Sequence, residues 1–321
     1  MTGMPINRGL VFWGIALVTA GLVALAFQQG YLDRGALAGA WRLWPVILIA
    51  IGLSIVLSRT PFAMLGTIAA ALAVGAAGGA LISVGPGVAS CGGPEPASLS
   101  AREGAFTGDN ASVDLDFNCG TLEMSLTDGA VWRMASGESD GHEARIEATD
   151  TSLAVSSPDR GFMGGEQRWE IGLGSEVTYA LSIDVNAATT SLNLAGGTFS
   201  ELSIDPNAGS LEFDLRGTSV EAFSLDMNAG SAGFRVGGTT DLDGTVGMNA
   251  GSIELCAEPD TALRFTVDEN LTFSHDLDES DLVRTGDTWT SANFDTADRR
   301  INLQLEGNAA SFSLNPEGGC E

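Results

Sequence analysis

The chain has 321 residues, of which 44% are hydrophobic, and a net charge of −26 at pH 7. Between residues 10 and 85 the only charged side chains are Asp33, Arg34, Arg42 and Arg59, whereas residues 86 to 321 hold 40 acids against 11 arginines and no lysine. So acidic a segment repels phosphate backbones and anionic headgroups, which excludes nucleic-acid binding and leaves cations or basic proteins as electrostatic partners. The plain reading of the charge is solubility in a salty milieu.

Residues 1–85 read as a transmembrane helical region with three spans. Leu10 to Phe27 gives 18 uncharged residues, close to the ~20 that cross a bilayer as a helix. A second span covers about 43–57, led by Trp41, Trp44 and Pro45, and a third covers about 62–84. A cleaved signal peptide is the competing reading of the first segment, but its apolar run is long and no small-x-small cleavage site precedes Gln28. Ala71, Gly75 and Gly79 form a small-residue stripe compatible with helix-mediated self-association.

Arg8 and Arg59 balance Arg34 and Arg42, so flanking charge does not orient the spans. The acidic composition and the placement of all four cysteines after the spans favour an extracytoplasmic C-terminal domain on the plasma membrane. Residues 86–108 read as a linker. Within it, Val88-Ala89-Ser90-Cys91-Gly92 resembles a lipidation site, with a linker or disulfide cysteine as the alternative.

The main feature of the remainder, 109–321, is a repeat. Asn186-Ala-Ala-Thr, Asn207-Ala-Gly-Ser, Asn228-Ala-Gly-Ser and Asn249-Ala-Gly-Ser follow one another at 21-residue steps. Apolar residues stand five, three and one positions before most of these asparagines, as in Leu202, Ile204 and Pro206, with polar residues between. Four, six and eight positions after them apolar residues return, as in Leu211, Phe213 and Leu215. That is the period-2 pattern of half-buried strands, one before and one after each corner. Gly196, Gly217 and Gly238 mark a further bend.

Looser copies surround Asn118, Thr149 and Asn308, giving seven coils, or eight with a degenerate one at Phe265, Val267 and Asn270. A 21-residue unit cannot bury its own apolar face, but stacking at about 4.8 Å per layer makes one continuous core. The predicted fold is therefore transmembrane α-helices followed by an all-β, single-stranded β-solenoid with ~21-residue coils. Asn118, Asn186, Asn207, Asn228, Asn249 and Asn308 are expected as structural corners, where Asn tolerates left-handed backbone and its amide reaches the next layer. Two interruptions, 160–169 and 275–281, break the period and are the expected places for a partner to bind.

No catalytic set, zinc site or cofactor site is readable. His142 and His275 lie in different segments. Asp276, Asp278 and Asp281 superficially resemble a calcium loop but lack the EF-hand order. Cys91, Cys119, Cys256 and Cys320 are expected to form two disulfides in one of three connectivities.

Arg42-Leu-Trp-Pro-Val-Ile-Leu-Ile-Ala-Ile-Gly-Leu53 resembles the membrane region of LiaI-type and LiaF-type envelope proteins. Trp169-Glu-Ile-Gly-Leu173 and the Asn-Ala-Gly-Ser coils resemble the toast-rack β-solenoid that accompanies it, also seen in candidate adhesins. The resemblance implies a bacterial cell-envelope stress regulator that restrains a membrane histidine kinase, without catalytic residues. LiaF-type proteins usually have four spans where three are readable here. A surface adhesin or structural module binding a wall polymer is the alternative.

Overall fold

The computed structural model describes residues 98–138, 143–158, 166–268, 273–316 and 319–320, together with a few helical positions between 14 and 72. The chain divides into two units, 1–86 and 87–321. The three predicted spans lie almost entirely outside the described residues, among which no helix is long and apolar enough to cross a membrane.

The second unit is one 15-stranded sheet. Its strands are β1 (Ser100–Ala105), β2 (Asn110–Thr127), β3 (Val131–Glu138), β4 (Arg145–Ala148), β5 (Ser152–Ser156), β6 (Gln167–Gly174), β7 (Thr178–Asn193) and β8 (Thr198–Asp214). There follow β9 (Ser219–Val236), β10 (Asp241–Ala257), β11 (Leu263–Asp268), β12 (Ser274–His275), β13 (Val283–Thr285), β14 (Thr288–Thr290) and β15 (Ile301–Leu314). β1 lies in the segment expected to be linker, so the sheet begins before residue 109.

β2, β7, β8, β9, β10 and β15 stack in parallel, in that order. Across β7, β8 and β9 the register advances by one repeat per layer, so Ile183 meets Ile204 and Ile204 meets Leu225. Inward residues therefore stack on their own kind. Leu181, Leu202, Leu211, Leu225 and Leu255 are all buried within one core cluster. At about 1.5–3 kcal/mol per large aliphatic or aromatic side chain, this shared core is what holds coils too small to fold alone.

Size is balanced between layers. Phe213 and Phe234 stack with centroids 4.9 Å apart. Where Phe223 replaces the leucine of its column, the facing residue of the next layer is Gly244, and a Cβ there would lie 2.7 Å from that of Phe223.

The expectation of two strands per coil, one on each side of the asparagine, is corrected: β7, β8, β9 and β10 each run continuously through the corner. The chain bends there within one strand, and the backbone pairing between layers skips the asparagine and resumes at the residue after it. The Thr149 coil is also corrected. Thr149 donates its backbone N–H to Ser152 O at 2.8 Å in a tight turn joining β4 and β5 as an antiparallel hairpin. Leu153 and Val155 pair with Val113 and Leu115, so they precede the corner of their layer rather than follow it. Alternation alone could not separate these cases, because both sides of a turn alternate.

The end layers are split. β5 covers the first half of β2 and β6 the second half, both parallel. At the other end β11 covers the first half of β15 and β12 the second. Antiparallel strands finish each end, β3 and β1 beyond β6, β14 and β13 beyond β11. The two interruptions of the repeat fall at these split layers. Residues 159–165 and 269–272, including Asn270, lie outside the described residues.

Candidate functional site

The corners form a continuous side-chain ladder. Asn186 Nδ2 donates to Asn118 Oδ1 (2.7 Å), Asn207 to Asn186 (2.9 Å), Asn228 to Asn207 (2.8 Å), Asn249 to Asn228 (2.9 Å) and Asn308 to Asn249 (2.8 Å). The left-handed backbone expected of these asparagines is not theirs. At four of the six corners it belongs to the residue two positions on, Gly120, Gly209, Gly230 and Gly251, with φ between 130° and 135°, whereas Ala188 and Ala310 take that place after Asn186 and Asn308 without a positive φ. A Cβ at Gly230 would strike the carbonyl oxygen of Gly209, so at this corner both the angle and the close approach require glycine. Asn then remains extended and keeps its amide along the stacking axis.

Beside the ladder run two outward columns. Ser182, Ser203 and Ser224 are in register, with Ser203 Oγ and Ser224 Oγ 2.8 Å apart. Next to them stand Asp116, Asp184, Asp205 and Asp226, one per layer. The column continues through Gly247 and Glu306 to Asp268. Acids and asparagines together line a groove of about 500 Å³.

Like charges repeated at the layer spacing repel one another. Asp184 is held above the ordinary carboxylate range by partial burial, with the charges of Asp205, Asp116 and Asp114 adding to it. Asp226 is raised by burial and by Asp205. Gly247 interrupts the column where Asp226 leans across: a Cβ there would lie 2.6 Å from Asp226 Oδ1. On a neighbouring face the balance reverses. Burial alone would raise Asp214, but hydrogen bonds from Arg216 at 2.6 to 3.1 Å outweigh it and hold that carboxyl below the usual range.

A single file of carboxylates cannot wrap a cation that takes six to eight oxygens. Among the described residues no group of three or more His, Cys, Asp or Glu is arranged to hold a metal ion. Asp276 and Asp278 of the second interruption have separate partners. Asp276 Oδ1 accepts the backbone N–H of Leu314 at 2.9 Å. Asp278 Oδ1 accepts Trp289 Nε1–H at 3.0 Å and its carboxylate pairs with Arg284 at 3.3 Å. The Arg284 guanidinium lies 4.5 Å over the Trp289 ring, whose other neighbour is His275 at 4.7 Å edge-on. This interlock closes the end layer, with members from β12, the turn after it and the hairpin strands β13 and β14, so no local pattern announces it.

Cys256 and Cys320 form a disulfide with Cα atoms 5.5 Å apart. Cys119 is also disulfide-bonded, and the described residues contain no free cysteine. Cys91 and His142 lie outside the described residues.

A parallel stack with an asparagine ladder, behind an apolar N-terminal region, can be set against known families. Residues 104–237 match the N-terminal domain of toast-rack. Residues 11–56 match the LiaI-LiaF-like transmembrane region. Over these two stretches the chain is similar to a membrane region of that type and to a toast-rack domain. Among solved structures it is similar to a candidate cell adhesion protein from Clostridium sporogenes, at 12% identity over 67% of this chain and 98% of that one, with a TM-score of 0.44. A candidate adhesin from Bacteroides fragilis is 11% identical over 69% of this chain and 100% of that one, with a TM-score of 0.29. No protein of curated function matches.

Proposed function

We propose that the chain is a non-enzymatic, membrane-anchored regulator of cell-envelope stress signalling, which acts through protein contacts in and beside the plasma membrane, with a membrane histidine kinase as partner. The observation that carries this reading is the pairing in one chain of a LiaI-LiaF-like transmembrane region at 11–56 with a toast-rack domain at 104–237. Its solenoid lies on the extracytoplasmic side. The Cys256–Cys320 disulfide supports that side, because such bonds persist in oxidising compartments. Regular outward columns suit contact along a face better than chemistry at a point.

Deleting the gene and following kinase-controlled transcription under wall-active antibiotics tests the proposal. Altered induction is expected. Normal induction with lost attachment to surfaces or wall polymer would replace the regulator with an adhesin. Protease treatment of intact cells should digest the solenoid, and full protection would place it inside.

A further inference from the structure

We propose that the Cys256–Cys320 disulfide is a redox-operated clasp, which a dithiol opens to release the C-terminal strap while the solenoid stays folded. The clasp closes an edge and not the core. β10 pairs with β9 out to Ala257, whereas β15 pairs with β10 only as far as Leu255. Cys256 and Ala257 therefore have a strand on one side only. The strap takes the other side: Asn315 donates its backbone N–H to Leu255 O at 2.8 Å, and Asn315 Oδ1 accepts the Ala257 N–H at 2.7 Å. Asn315 turns the chain with φ 50°, and the disulfide returns Cys320 to Cys256.

Three observations make the opening local and reversible. Among the described residues, none after Leu314 belongs to the hydrophobic core or packs against it. Cys320 is exposed and Cys256 half-exposed, so the bond is open to attack from solvent. Among the described residues of the strap, Asn315 makes the pair of backbone-directed hydrogen bonds to β10, whereas the layers beneath are held by the shared core. In the opening step a thiolate of the dithiol attacks Cys320 Sγ, the S–S bond breaks, and the Cys256 sulfur leaves with the electron pair and takes a proton. The second thiol of the reductant then closes on the mixed disulfide and frees Cys320, so the dithiol is oxidised to a cyclic disulfide by the two electrons that the clasp gains.

The proposal is independent of the regulator reading. It is tested on the full-length chain in detergent by hydrogen exchange with and without dithiothreitol, alongside C256S/C320S, which separates this bond from that of Cys119. Expected is loss of protection at the Ala257 and Asn315 amides in both cases, unchanged protection in β7, β8 and β9, and recovery of the reduced wild type on reoxidation. The clasp is refuted if those two amides stay protected in the reduced protein. It is equally refuted if the serine variant loses protection across β8 and β9, since the bond would then be a staple of the whole fold, or if the strap fails to close again on reoxidation.

Discussion

Asn228 Nδ2 donates to Asn207 Oδ1 at 2.8 Å while Asn228 Oδ1 accepts from Asn249 at 2.9 Å, so one side chain serves two neighbouring layers in opposite roles. Alanine at 228 removes both bonds, but the ladder is exposed and water can replace them. N228A should lower stability by about 0.5–1.5 kcal/mol. N228D keeps the acceptor, loses the donor and adds a charge two residues from Asp226. It should be at least as damaging at neutral pH, and the gap should narrow on acidification. Urea unfolding read by the fluorescence of the buried Trp132, Trp169 and Trp289 measures both.

Gly230 and Gly238 make a controlled pair. At Gly230 the φ is 133° and a Cβ would strike the Gly209 carbonyl, so G230A should lose more than about 3 kcal/mol or fail to fold. At Gly238 a Cβ meets nothing within 4 Å and the φ is not positive, so G238A should be neutral or stabilising by up to about 1 kcal/mol. Equal effects in the same urea titration would contradict the assignment of the bend to the residue after Asn-Ala.

The carboxylate column carries a pH dependence whose sign follows from its raised groups. Asp184 and Asp226 bind protons more tightly folded than unfolded, so their contribution to stability falls as pH rises from the ordinary aspartate value through the raised folded value. The penalty is fully present at neutral pH. D226N should therefore raise the urea midpoint at pH 7 and flatten the slope just above the normal carboxylate range. Asp214 works the other way, since its lowered value gives stability that is lost as pH falls further. A midpoint for D226N below that of the wild type at pH 7 would overturn this account.

Asp278 is bound by Trp289 and Arg284, which gives it a mechanical role at the end layer. D278N should destabilise by about 1–2 kcal/mol, and by the same amount with or without millimolar calcium. Calorimetric titration of calcium into the wild type should show no heat that D278N removes. A calcium-dependent difference between the two proteins would restore the cation reading of 275–281.

How much of this was legible in the sequence depends on what period-2 alternation encodes. It states which face a side chain takes, so the inward columns around Asn207, Asn228 and Asn249 could be read directly. It does not state which strand lies next door. β2 sits between the split layer of β5 and β6 and the later β7, and β15 slips between β10 and the earlier β11. Those neighbours are chosen by closure of the core at each end, which no local pattern carries. For the same reason the partners of Asp276 and Asp278 were hidden: Leu314 and Trp289 are 38 and 11 residues away.

The antiparallel strands at the two ends of the stack bear on how the domain can change in length. A coil added outside β1 or β13 would meet a strand of only six or three residues that carries no asparagine of the file, so the tips offer it no full layer to continue. A coil duplicated within β7 to β10 meets identical neighbours above and below. The length of the stack is thus open to change by copying its middle in 21-residue steps, with both closures inherited unchanged.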